Sequence, residues 1–141
     1  MRKRWPIALA LLAVLAGSWV YFKGAVHTGH GLTLVEQGPH LPLPGLHGGS
    51  ARTVTITDTP AGCLGVDGVP AAWPHGTKLV YSGGHVEIEY DGARYRIGDQ
   101  VDISGLSKAK PRAQYTLWIP GIPHRCGAMV QPIPDGFSAA S

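Results

Sequence analysis

Two cysteines, Cys63 and Cys126, and a histidine two positions before the second, His124, are the residues of this sequence best suited to covalent chemistry. A thiol beside an imidazole can serve as an activated nucleophile. Outside the cytosol, two thiols in one small domain form a disulfide instead. Four more histidines, His27, His30, His40 and His47, crowd into one short stretch. They are candidates for weak metal binding, although no cysteine or carboxylate pattern among them fixes a coordination sphere. Trp118, with Thr116 beside it, is a candidate ligand contact, as is His124. Lys108, Lys110 and Arg112 form a small basic loop suited to anionic headgroups or a polyanionic wall polymer. There is no Gly-x-Ser-x-Gly elbow, no His-Glu-x-x-His, no phosphate loop and no Cys-x-x-Cys. No residue is assigned a catalytic role on sequence, and the reading is non-enzymatic.

Which of these chemistries is available depends on compartment, and the N-terminus bears on that. Trp5 to Phe22 is 18 residues without a charge. As a helix it rises about 27 Å, the lower end of what crosses a bilayer core. Arg2, Lys3 and Arg4 precede it, which places that end in the cytoplasm by the positive-inside rule. Trp5 stands at one end and Trp19, Tyr21 and Phe22 at the other, where interfacial aromatics belong. The competing reading is a signal peptide cut near Ser18, since Ala16-Gly17-Ser18 is a small-residue site. The apolar run continues past it through Trp19-Val20-Tyr21-Phe22, which favours an uncleaved, single-pass anchor. Either way the remainder is extracytoplasmic, and a Cys63–Cys126 disulfide is the expected state of both thiols.

The basic residues lie mostly at the anchor. Of 12 Lys and Arg, four (Arg2, Lys3, Arg4, Lys23) flank the hydrophobic run; the eight that remain face nine Asp and Glu, a net of −1. A nucleic-acid partner needs a basic face on the folded domain, so that class is excluded. The expected organisation is a cytoplasmic tip and anchor over 1–23, a Gly/Pro/His linker over 24–50, a β domain over 51–134 and a flexible tail over 135–141. Pro39-His40-Leu41-Pro42-Leu43-Pro44 suggests a stiff spacer within that linker.

With 20 Gly and 12 Pro, the domain is one of turns and short strands. Thr53-Val54-Thr55-Ile56-Thr57 alternates, with Val54 and Ile56 inward. A strand is expected over Lys78 to Tyr81. Asp91-Gly92 marks a two-residue hairpin turn. That register pairs Tyr90 with Ala93, Ile88 with Tyr95 and Val86 with Ile97 on one face, and Glu89 with Arg94 and Glu87 with Arg96 on the other. Val101 and Ile103 turn inward on the next strand. Tyr115 to Ile119 is read as a strand with Trp118 and Thr116 outward, and Ala128 to Ile133 as a short edge that tolerates Pro132. Trp73 is expected to anchor a loop into the core.

The hairpin followed by Gly98-Asp99-Gln100-Val101-Asp102-Ile103-Ser104-Gly105 resembles the strand entry common in OB-fold-like barrels, over about 25 residues. Five to six short strands imply a mainly β fold, a small antiparallel barrel or sandwich after one transmembrane helix, and the resemblance implies that it is OB-like. Pro123-His124-Arg125-Cys126-Gly127 resembles in part the His-Gly-Cys run of exported cysteine transpeptidases of cell walls, with Arg125 where that family has Gly.

The function expected from these features is a membrane-anchored extracytoplasmic accessory or binding module. Its partners are the lipid bilayer through residues 5–22 and a membrane protein complex or envelope component, with no cofactor. A second reading is a haem or transition-metal carrier, because membrane-anchored OB-type domains include haem chaperones of cytochrome maturation. His124 is the only histidine after His85, and no tyrosine follows it, a departure from that pattern. A third is a cell-envelope cysteine enzyme resting on His124 and Cys126.

Overall fold

In a computed structural model, residues 5–39, 50–106, 108–134 and 136–141 are described. The chain opens with helix α1 (Trp5–Phe22). It continues through β1 (Ala25–Gly29), β2 (Leu32–Glu36), β3 (Ser50–Asp58), β4 (Leu64–Val66), β5 (Val69–Trp73) and β6 (Lys78–Ser82). Then follow β7 (His85–Tyr90), β8 (Ala93–Tyr95), β9 (Gln100–Leu106), β10 (Lys110–Pro111), β11 (Met129–Pro132) and β12 (Phe137–Ala139). Two 3-10 turns, Arg112–Gln114 and His124–Cys126, lie between β10 and β11.

The strands make a mixed sheet in the order β1-β2-β5-β4-β3-β9-β12 and a three-stranded sheet β6-β7-β8. β5 is the branch point. It pairs with β4 antiparallel, and with both β2 and β11 in parallel. The mainly β expectation holds. Of the expected antiparallel barrel or sandwich of five to six strands, the count and the purely antiparallel pairing do not hold: the described strands are more numerous, two pairings are parallel, and the described sheets form no closed barrel. Antiparallel alternation was read from local patterns, whereas the parallel pairs join segments far apart in sequence, which no local pattern encodes.

Local patterns fare best where both partners are local. Asp91 and Gly92 both adopt positive φ, 50° and 79°, as a type I′ turn requires. The register is Tyr90 to Ala93, Glu89 to Arg94 and Ile88 to Tyr95, as expected. Beyond Tyr95 the expected ladder stops. Arg96 N–H donates to the Asp99 carboxylate at 2.8 Å, which turns the chain, and Ile97 stays 42% exposed rather than facing Val86. On its other edge Val86 pairs with Tyr81 of β6. Val54, Ile56, Val101 and Ile103 are all buried, as their alternation demands.

The main core gathers Leu34, Val54, Ile56, Trp73, Ile103 and Phe137 among others. Phe137 contacts three aromatic rings: Tyr90 at 4.7 Å, Tyr95 at 5.0 Å and Trp73 at 5.3 Å between centroids. That contact corrects the C-terminus. The expected flexible tail carries β12, which pairs with β9 and buries Phe137. A smaller core of Val35, Ala72, Ile119, Ile122 and Val130 lies on the other side of the β5 branch.

The linker over 24–50 is corrected as well. Residues 25–36 form the β1–β2 hairpin, closed by His30 and Gly31 at positive φ, 51° and 79°. The Pro-rich segment from His40 onward lies outside the described residues. The fold begins two residues after α1 ends, so no spacer separates them.

The expected strand over Tyr115 to Ile119 is also replaced. Tyr115 N–H donates to Arg112 O, Trp118 N–H to Tyr115 O and Ile119 N–H to Tyr115 O. These local bonds use the donors a ladder would need. The Thr116 hydroxyl closes the same turn on Ala113 O at 3.0 Å.

Among the described residues no helix is long and apolar enough to cross a membrane. The expected transmembrane helix is therefore shown only as an N-terminal helix, one whose Trp5, Leu9, Leu12 and Leu15 side chains are all exposed.

Candidate functional site

The most developed constellation in the molecule is the junction between α1 and the domain. The Trp19 indole Nε1–H donates to the carbonyl of Leu117 at 2.9 Å. Gly24 N–H donates to the carbonyl of Trp118 at 2.6 Å. Two glycines make this approach feasible. A Cβ on Gly38 would overlap the Phe22 carbonyl, and one on Gly24 would overlap Glu36 O and stand 2.9 Å from Ile119 Cγ1. Lys23 completes the corner, with its ammonium 5.3 Å from the Trp19 ring centroid. A cation over an indole at an exposed site contributes about 0.5–1 kcal/mol.

The loop that meets the helix has a divided character. Ile119 (2% exposed) and Ile122 reach down into the smaller core. Leu117 (63%) and Trp118 (51%) stand out into the surroundings. Pro120 and Gly121, the latter at φ 85°, turn the chain between the two buried isoleucines. Trp118 and Thr116 are thus exposed together, as expected, but on a turn rather than a barrel strand. Lys108 and Lys110 are exposed, and Arg112 is half-buried with its Nε enclosed and unpartnered. Burial pushes the nearby Tyr115 phenol above its ordinary pKa.

The cysteines are joined. Cys63 and Cys126 form a disulfide with Cα atoms 5.5 Å apart, both nearly fully buried. Cys63 also bridges to Thr33, whose hydroxyl accepts from the Arg125 guanidinium at 2.8 Å. Arg125, in the place of the transpeptidase glycine, is thus a structural tie between the β2 strand and the disulfide turn. His124 is exposed beside it. Bonded in this way, Cys126 presents no thiolate, and the nucleophile reading lacks its nucleophile.

The histidines do not converge. His27 meets Glu36 across β1–β2 at 3.2 Å, and the same carboxylate accepts Gly76 N–H at 2.8 Å. His30 stacks on Tyr81 with centroids 4.0 Å apart. His40 and His47 lie outside the described residues. Among the described residues no three His, Cys, Asp or Glu stand close enough to hold a metal ion. The separation follows from the hairpin: His27 lies on β1 beside Glu36 of β2, whereas His30 lies in the turn at φ 51° and stacks on Tyr81.

Sequence reasoning missed a shallow polar cleft of about 240 Å³ between Tyr90, Asp91, Asp102, Ser104 and Ser138. Asp102 is already engaged, accepting the Thr53 hydroxyl at 2.5 Å and Ser141 N–H at 3.4 Å. Burial first, then the charges of Asp91 and Tyr95, raise the Tyr90 pKa. It missed the junction too. The one available signal was the pair Gly24 and Gly38 flanking the first hairpin, which reads equally well as linker.

Comparison with protein-family models, with curated proteins and with solved structures returns no match for this chain.

Proposed function

We propose that this chain is a membrane-anchored, extracytoplasmic accessory or binding module, with α1 held in the bilayer and the disulfide-bonded β domain at its surface. The observation that carries the reading is the apolar surface of α1, on which Ile7, Leu9, Leu11, Leu12, Val14 and Leu15 all stand more than half exposed. The last turn of α1 is tied to the domain surface through Trp19 and Leu117. A cut at Ala16-Gly17-Ser18 would remove that apolar surface and leave Trp19 bonded to Leu117; the apolar run that continues through Phe22 favours the uncleaved form.

At 18 residues α1 is short for a bilayer core of about 30 Å. Local thinning and snorkelling of flanking basic side chains close such a gap at modest cost. Lys23 and the three basic residues at 2–4 are placed for it. The cytoplasmic orientation of those three, and the Cys63–Cys126 disulfide, both favour a domain outside the cytosol.

A binding rather than catalytic role is supported by how the reactive side chains are used. Cys126 is in the disulfide, His27 is on Glu36, and His75 Nδ1 lies 3.3 Å from the Gln37 carbonyl. The partner in this proposal is a neighbouring membrane protein complex or an envelope component. Affinity purification of the full chain in mild detergent tests it. A stoichiometric membrane or envelope partner is the expected result, and recovery only as a lone monomer contradicts the proposal.

A further inference from the structure

We infer that the Leu117–Trp118 turn is a second membrane contact, bedded in the interfacial layer beside the end of α1, so that the domain lies on the bilayer rather than hanging from it. The inference rests on the anchored reading of α1 and adds a docking surface to it.

Depth is fixed by a hydrogen bond. Trp19 lies in the last turn of the helix, and its indole nitrogen is 2.9 Å from the Leu117 carbonyl. Any bilayer that surrounds α1 up to Trp19 therefore reaches the backbone of Leu117. The turn cannot be lifted away, because Gly24 is bonded to Trp118 O and the Gly38 backbone closes against Phe22. Ile119 and Ile122 pin it from the domain side.

Its chemistry suits that layer. An exposed leucine next to an exposed indole is an apolar patch that water does not favour. Tryptophan, with an apolar ring and one N–H, belongs at the headgroup boundary. The turn that carries the patch is tied to the end of α1 by the Trp19–Leu117 bond. Lys23 flanks it on the helix side, and Lys108, Lys110 and Arg112 lead into it along the chain. Those charges complement an anionic headgroup layer.

The four tryptophans supply the test and its controls. The full chain is labelled with 5-fluorotryptophan and placed in nanodiscs of phosphatidylcholine and phosphatidylglycerol. Resonances are assigned with W5F, W19F, W73F and W118F. Two readouts are taken for each ring: broadening by a lipid nitroxide-labelled high on its acyl chain, and the shift between H2O and D2O. The expected result is that Trp118 behaves as Trp19 does, broadened and without the D2O shift of a water-exposed indole, while core Trp73 is not broadened. A Trp118 signal that escapes broadening or keeps the full D2O shift, with Trp5 and Trp19 broadened, overturns the docking inference alone. If Trp5 and Trp19 also escape broadening, the anchored reading fails and the inference with it.

Discussion

Trp19 and Leu117 stand 98 positions apart in sequence, yet the indole of one donates to the carbonyl of the other at 2.9 Å. The last turn of the helix is thereby part of the tertiary structure. The bond alone is a modest term, about 1 kcal/mol. Its importance is positional, because it sets the domain against the end of the helix.

The junction depends on two absent side chains, and Gly38→Ala tests that directly. The new Cβ would overlap the Phe22 carbonyl, so backbone must shift. The expected cost is about 1–3 kcal/mol. It would be seen as a lower denaturant midpoint and as faster tryptic cleavage after the exposed Lys23. Unchanged cleavage and midpoint would show that the contact is not needed.

Replacing both cysteines by alanine should lower stability by about 4 kcal/mol on the chain-entropy estimate for a span of 63 positions. The comparison is urea unfolding of the oxidised protein against the C63A/C126A variant. An equal midpoint would remove the disulfide from the account of stability.

How much of this was legible in the sequence varied with the range of the interaction. The Asp91-Gly92 hairpin was readable because turn, register and cross-strand charges lie within a few residues of each other; Arg94 does meet Glu89, at 3.3 Å. The disulfide was expected from two cysteines in one small domain read as exported. The parallel pairs on β5 were not, since Ala72 pairs with both Val35 and Pro132 and neither relation has a local signature. Phe137 looked like tail because its three ring partners come from β5, β7 and β8. The loop at Trp118 alternated like a strand, but the Thr116 hydroxyl and local backbone bonds captured it first.

Phe137→Ala measures whether the C-terminal strand belongs to the core. Truncation removes contacts to Trp73, Tyr90 and Tyr95, and a buried Phe→Ala change costs about 3–5 kcal/mol. The same variant should speed hydrogen exchange at Ser138 and Ala139, which pair with β9. A loss below about 1 kcal/mol would mean that β12 is peripheral.

Alkaline stability follows from two phenols. Burial, with Asp91 and Tyr95 contributing, raises the pKa of Tyr90 above 10.0, and burial raises that of Tyr115. The folded state therefore holds these protons more tightly than the unfolded chain. Their contribution is fully present below about pH 10 and is lost as pH rises through the folded values. Unfolding measured from pH 9 to 12 should show falling stability, and Tyr90→Phe should make the fall shallower. An identical slope in that variant would assign the effect elsewhere.

Retention of α1 as an anchor on an exported domain is tested most directly by intact mass of the mature chain from washed membranes of its own cells. The account predicts a protein that stays with the membrane through alkaline carbonate, keeps residues 5–23, and carries the Cys63–Cys126 bridge. A soluble chain beginning at or near Trp19 would contradict it.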